Sequence, residues 1–189
     1  LKKELEHTIS TAIERGQSAV VLSKRISKYL IDYPSLKADY TEKFGKAATC
    51  ANCQYASIRL ARTEINMAYR KAEQTRWQQF DFILGYEIKL SKRHPAPDIC
   101  DDLLGIYPKD FIFLGWHPNC MCYVVPIVMS DEEYYGSPSI QKSAMISRTP
   151  KNFNDWVRNN RSRIGQAKTL PYFLKDNRKY WHLSVEDAD

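Results

Sequence analysis

The chain has 189 residues, 43% hydrophobic and 12% aromatic, which supplies a packed core and excludes global disorder. No apolar run reaches the roughly 18 residues of a membrane-spanning helix, so no membrane partner is expected. A net charge of +6 suits a neighbour of nucleic acid or of an acidic protein and equally suits many soluble proteins.

The opening LKKELEHTIS is charged where a secretory leader is apolar, so no signal peptide is expected. Without a starting methionine, the chain is expected to be a piece of a longer protein. Residues 1–32 read as helix, with Leu5, Ile9, Ala12 and Ile13, then Val20, Leu22, Ile26 and Leu30 at helical spacing. Gly16 is a point of interruption. Pro34 closes the segment, and Ser35 is the expected N-cap of a short helix after it. A long third helix is expected over 52–80. Ile58, Ala61, Ile65, Ala68 and Ala72 form its narrow apolar stripe, and Arg59, Thr63, Asn66 and Arg70 its polar face.

The pattern then changes to alternation. DFILGYEIKLS predicts a strand over 83–90. KRHPAPDICDDLLGIYPKD reads as loop with one helical turn at DICDDL, FIFLGW as a short strand, and CYVVPIVM as a second, with Pro126 placing it at an edge or bulge. Residues 130–150 read as a polar linker. NFNDWVRNNRSRIGQAK predicts an amphipathic helix capped by Asn152, with Phe153, Trp156, Val157 and Ile164 on its apolar side. LPYFLKDN leads into a basic, aromatic tail. The expected class is α+β: long N-terminal helices packed on a small antiparallel sheet with a Cys/His-containing loop region. The expected organisation is a helical region at 1–48, a core at 49–130, and a linker, amphipathic helix and tail at 131–189.

The chemistry-bearing residues gather in one window. His94, Asp98, Cys100, Asp101, His117, Cys120 and Cys122 all fall there. His117-x2-Cys120-x-Cys122 can supply two or three ligands to a tetrahedral ion from one turn preorganised by Pro118. Cys100, or else Asp98 or His94, would come from the facing loop. The other reading is a packed turn: alternation along a strand puts Cys120 and Cys122 on one face, where free thiols are ordinary core residues. Spacing leaves both open. The five cysteines favour reduced thiols over a disulfide scaffold. Cys50-x2-Cys53 opens a helix and has no second pair, so it reads as structural. Arg59, Arg62, Glu64 and Arg70 read as charges anchoring a packed helix, or as contacts to a nucleic-acid backbone. The basic stretches Lys92–Arg93 and Arg158, Arg161, Arg163 are expected to give weak, non-specific DNA contact. No nucleophile–base pair, phosphate loop or paired carboxylates stand out, so neither catalytic residues nor a small-molecule substrate are expected.

Three stretches, RLARTEINMAYRKAEQTRW, GYEIKLSKRHPAPDICDDLLGIYPKDF and GWHPNCMCYVVPI, together resemble the phage-Mu-F-like minor head proteins of tailed bacteriophages, in the form found in Bacteroidetes prophages. These head-morphogenesis proteins share a helix with an A-R-T-E core, a polar loop leading to leucine and glycine, and H-P-x-C-x-C, in that order. The closing LPYFLKDN extends the resemblance to about residue 177. It implies a structural role in head assembly or DNA delivery, with the portal or other capsid proteins as partners, in the virion and in the host cytoplasm during assembly. It also implies a structural metal site, zinc by its donors, on Cys100, His117, Cys120 and Cys122. Arg62, Thr63, Glu64, Asp101, Gly105 and Pro118 fall on the motif's other positions. Where some members carry C-x-x-C, this chain has Pro97-Asp98-Ile99-Cys100. The competing function is a metal-dependent nuclease or prophage toxin, carried by the metal-type turn and the positive charge.

Overall fold

In the computed structural model, which describes residues 2–32, 50–94 and 96–181, the N-terminal helical segment is cut in two at Gly16. Helix α1 spans Lys2–Glu14 and α2 spans Ala19–Asp32. Gly16 takes φ +62°, a left-handed backbone that glycine adopts without a Cβ clash. Its N–H bonds Ile13 O at 3.0 Å and that of Gln17 bonds Ala12 O at 2.8 Å, the paired closure of a Schellman motif. The break lets the two helices pack together: Ala12, Leu22 and Ile26 are buried with Ala61 of helix α3, Cys50–Trp77. The short helix expected after Ser35 lies outside the described residues, as do residues 182–189.

The chain forms two compact units, Leu1–Tyr69 and Arg70–Asp189, with the division inside α3. The sequence reading drew its boundaries at 48 and 130. The apolar stripe expected along α3 runs differently from its prediction. Cys53, Ser57 and Ala61 are buried in the first unit, Ala68 is half-buried, and Ala72 is exposed. Beyond the division the buried positions are Arg70 and Gln74, two polar residues that apolar periodicity could not pick out.

The second unit is α+β. Strand β1 (Ile83–Lys89) lies between β2 (Gly105–Pro108) and β3 (Tyr123–Val128), antiparallel to both. β3 is an edge strand, which is where Pro126, lacking an N–H, can be accommodated. β2 falls in a stretch read as loop. The strand expected at FIFLGW is not one, because side chains satisfy its backbone. Asn177 accepts from Ile112 N and donates to Ile112 O, both at 2.7 Å, and Gln74 Oε1 accepts from Phe113 N at 3.2 Å. Tyr86 donates to Phe111 O. The segment thus delivers Phe111, Phe113 and Trp116 into an aromatic core with Tyr86, Tyr107, Phe153 and Phe173.

Helix α4 (Ile99–Asp102) is the expected turn at DICDDL. The polar linker holds two helices, α5 (Asp131–Tyr134) and α6 (Pro138–Ala144). Ser130 and Glu133 form a capping box at the first, a signal written in the sequence as S-D-E-E. The amphipathic helix breaks at Asn160 into α7 (Lys151–Asn159) and α8 (Arg161–Gln166). Its N-cap is Pro150, and Asn152 instead donates from Nδ2 to Asp102 O at 2.8 Å and Leu104 O at 2.6 Å. That side chain satisfies carbonyls at the end of α4 and fixes the loop beside it. Two short helices, α9 (Tyr172–Lys175) and α10 (Arg178–Trp181), close the described chain.

Candidate metal centre

Two local structures bring the Cys/His residues together. The first is α4. Asp98 caps it by accepting from Cys100 N at 2.7 Å, and Asp101 answers by accepting from Asp98 N at 2.8 Å. This capping box orients Cys100, which is fully buried. The second is the turn His117-Pro118-Asn119-Cys120, closed by Cys120 N to His117 O at 3.2 Å. Proline sits second and Asn119 third, at φ +62°, which is the residue pattern of a type II turn.

The two converge. Cys100 Sγ is 3.1 Å from His117 Nε2 and 3.8 Å from Cys120 Sγ, and the three ligand atoms lie within 4.8 Å of one another. Cys120 and Cys122 are both buried, but the group whose ligand atoms all lie within 4.8 Å of one another holds Cys100, His117 and Cys120 and does not include Cys122. His117 Nδ1 donates to Pro118 O at 2.9 Å. That bond orients the ring so that Nε2 faces the Cys100 sulfur.

The thiols share protons unequally. Hydrogen bonds from Cys100 and Cys122, with backbone N–H groups of Trp116 and Cys122, hold Cys120 far below the ordinary thiol range despite its burial. Donation to Cys120 and Cys122, with burial, raises Cys100. A hydrogen bond from Cys100 lowers Cys122, but Cys120 and burial outweigh it and push Cys122 up to about 12. The hydrogen bonds among the thiols thus converge on Cys120, donated through the protons of its neighbours. A cation bound among them would take the place of those protons.

A second group shares Cys100. His94, Asp98 and Cys100 also offer ligand atoms within 4.8 Å of one another. His94 Nε2 lies 3.0 Å from Asp101 Oδ2 and 3.7 Å from Asp98 Oδ1, while Asp98 Oδ2 faces His117 Nε2 at 3.2 Å. Asp98 thus stands between the two histidines, on the more exposed side of the cluster. Asp101 is held below the usual carboxylate range chiefly by its bond from Asp98 N, with His94 adding to it.

Arg70 is the residue whose part here the sequence reading missed. Placed on the polar face of α3, it is only 7% exposed. Its guanidinium donates from Nη1 to Leu114 O at 2.6 Å, and from Nη2 to Cys120 O at 2.9 Å and Cys122 O at 2.6 Å. It also lies over the Phe113 ring. Gly115, at φ +133°, makes room for it: a Cβ there would stand 2.7 Å from Arg70 Nη1, 3.1 Å from Cys120 Cβ and 3.3 Å from Tyr172 Oη. The G in GWHPNCMC was the available signal.

The other expected positions lie elsewhere. Arg62, Thr63 and Glu64 belong to the first unit, where Arg62 is exposed and the Thr63 hydroxyl bonds Arg59 O at 2.8 Å. Cys53 is buried in that unit, and the Cys50 side chain is outside what is described. Lys92, Arg93, Arg158, Arg161 and Arg163 are all exposed, with Arg158 paired to Asp155. Gly105 opens β2 at φ +137°. Among the described residues no helix is long and apolar enough to cross a membrane.

Fold and site together define an α+β protein with a buried Cys/His cluster that can hold a metal ion. No family model, curated protein or solved structure matches the chain.

Proposed function

We propose that the cluster is a structural zinc centre, and that the chain is a minor head protein of a tailed phage in which this centre staples the fold. The observation that carries the zinc reading is the spacing of Cys100, His117 and Cys120. Sulfurs about 2.3 Å from a tetrahedral zinc stand about 3.8 Å apart. Cys100 and Cys120 have that separation already, at 3.8 Å. The Cys100–His117 distance of 3.1 Å is shorter than the corresponding edge of about 3.6 Å, so binding requires a small outward shift of the imidazole. Cys122, which stands outside that close group, is the proposed fourth donor. Four protein ligands, three of them buried thiols, leave no open position for a reacting water, which favours a structural over a catalytic centre.

Such a staple has a clear use. The sheet has three short strands, and residues 109–122 between β2 and β3 form neither helix nor strand. Zinc would tie α4 to the turn before β3 and order both. The phage role rests on the resemblance of three motifs in fixed order, two of which supply this one cluster. Portal or other capsid proteins are the proposed partners, with non-specific DNA contact through the exposed basic side chains. The proposed setting is the virion, and the host cytoplasm during assembly.

Elemental analysis of the purified chain tests the centre directly, with one zinc per chain expected. Chelation should lower the melting temperature, and metal affinity should fall as pH drops, because the ligands bind as thiolates. Absence of stoichiometric metal, with an unchanged melting temperature under chelator, would refute the zinc reading. A plasmid-nicking assay with Mg²⁺, Mn²⁺ or Zn²⁺ addresses the nuclease alternative. No nicking is expected, and metal-dependent cleavage would replace the head-protein reading.

A further inference from the structure

We infer that Arg70 is the charge-compensating residue of the metal centre, the group that lets all three cysteines bind as thiolates. The inference rests on the zinc reading above and concerns which residue makes that ligand set workable. Three thiolates and a neutral imidazole leave a divalent ion with one net negative charge. Such a charge inside a protein is costly unless a cation or a set of donors faces it.

Arg70 meets that need by position and by chemistry. It is buried, and its guanidinium donates to three neutral carbonyls, those of Leu114, Cys120 and Cys122. Among the described residues no carboxylate forms a salt bridge with it, so its charge stays available to the site. Two of its three acceptors belong to the C-x-C ligands themselves. Gly115 keeps the guanidinium in place, because a side chain there would collide with Nη1. The planar fork reaching three carbonyls is a task for arginine; lysine would keep the charge and lose the geometry.

The role separates from simple loop-clamping by spectroscopy. Native chain, Arg70→Gln and Arg70→Lys would be loaded with Co²⁺, whose thiolate-to-metal absorption grows with the number of coordinated sulfurs, and zinc affinity measured by competition with a chelating dye. Circular dichroism would check the fold of each. The expected result is a three-thiolate spectrum for native and Arg70→Lys, and a weaker two-thiolate spectrum for Arg70→Gln. Zinc affinity of Arg70→Gln should fall by about 10–100-fold, the range typical of lost outer-shell partners. Arg70→Lys should recover part of that loss. A folded Arg70→Gln with native affinity and a native spectrum overturns the proposal. So does a folded Arg70→Lys with a two-thiolate spectrum, which would mean that the clamp and not the charge matters; this arm needs no folded Arg70→Gln. A native chain with no thiolate-to-cobalt band instead overturns the zinc reading itself.

Discussion

Replacing Gly115 by alanine should be among the most damaging single-methyl additions the second unit can receive. Two costs combine. The φ of +133° is a region that L side chains rarely adopt, and holding one there costs about 1–3 kcal/mol. The new Cβ would also stand 2.7 Å from Arg70 Nη1, so the guanidinium must shift. Losing one charge-assisted bond to Leu114 O adds about 1.5–3 kcal/mol. The expected loss is therefore about 2.5–6 kcal/mol, a large share of the roughly 5–15 kcal/mol that holds a typical domain folded. Urea denaturation read by tryptophan fluorescence is well suited to this. The chain's four tryptophans, Trp77, Trp116, Trp156 and Trp181, all lie in the Arg70–Asp189 unit. Chelator in every sample removes metal binding from the comparison. Gly165→Ala is the control: it sits in α8 with nothing within 4 Å of its added Cβ, and should gain about 0.5–1 kcal/mol of helix propensity. A Gly115→Ala midpoint equal to the native one would show that the Gly115–Arg70–Cys120 contact is not built as described.

Asn177→Ala removes three hydrogen bonds, two to Ile112 and one to Phe173 O, at a site 1% exposed. It should cost about 3 kcal/mol in the same assay, and a loss under 1 kcal/mol would argue against a strand-replacing role. Burial works to raise Asp110, but hydrogen bonds from Lys179 and Tyr180 and the lysine's charge hold its carboxyl below the usual range. Its stabilisation is then present above the unfolded carboxylate value near 3.9 and lost as pH falls through the lower folded value. Asp110→Asn should flatten the acid limb of the stability curve there, and an unchanged limb would refute the pairing. DNA affinity should be weak, indifferent to sequence and steeply reduced by salt, and neutralising Arg161 and Arg163 together should shallow that salt slope; a flat salt profile would show the exposed charge meets something else.

The fold was legible where one local signal decides the outcome. Alternation gave β1 within one residue, Pro126 placed β3 at an edge, and Gly16 marked the break between α1 and α2. It was illegible where a distant side chain supplies the hydrogen bond that local pattern assumes will come from a strand. FIFLGW has the apolar content of a strand. Asn177 and Gln74, remote in sequence, occupy its backbone groups instead, and no window around residues 111–116 contains either. Asn152 is a similar case. Its residue type suits a cap, but its amide donates to the carbonyls of Asp102 and Leu104, about 50 positions away in the sequence.

The site divides along the same line, and Arg70 shows why. Ligand identity is local: a turn-forming Pro-Asn between His117 and Cys120 fixes two donors, and a capping box around Cys100 fixes a third, so their meeting could be anticipated from short motifs. What makes the meeting tolerable is not local. An arginine on a helix surface and an arginine inserted among three carbonyls look the same to a periodicity argument, because charge predicts exposure unless compensation is visible. Here the compensation comes from backbone groups of residues 114–122, which carry no residue-type signature at all. Only Gly115 betrays it. A glycine two residues before a ligand histidine is otherwise unremarkable, yet the space its missing side chain leaves is the space the guanidinium fills. The contact therefore constrains two positions 45 residues apart in number, Gly115 and Arg70, as one unit. Restoring the Gly115→Ala variant by shortening the side chain at 70 would relieve the clash but leave the Cys120 and Cys122 carbonyls without their donor, so the double variant should remain less stable than the native chain.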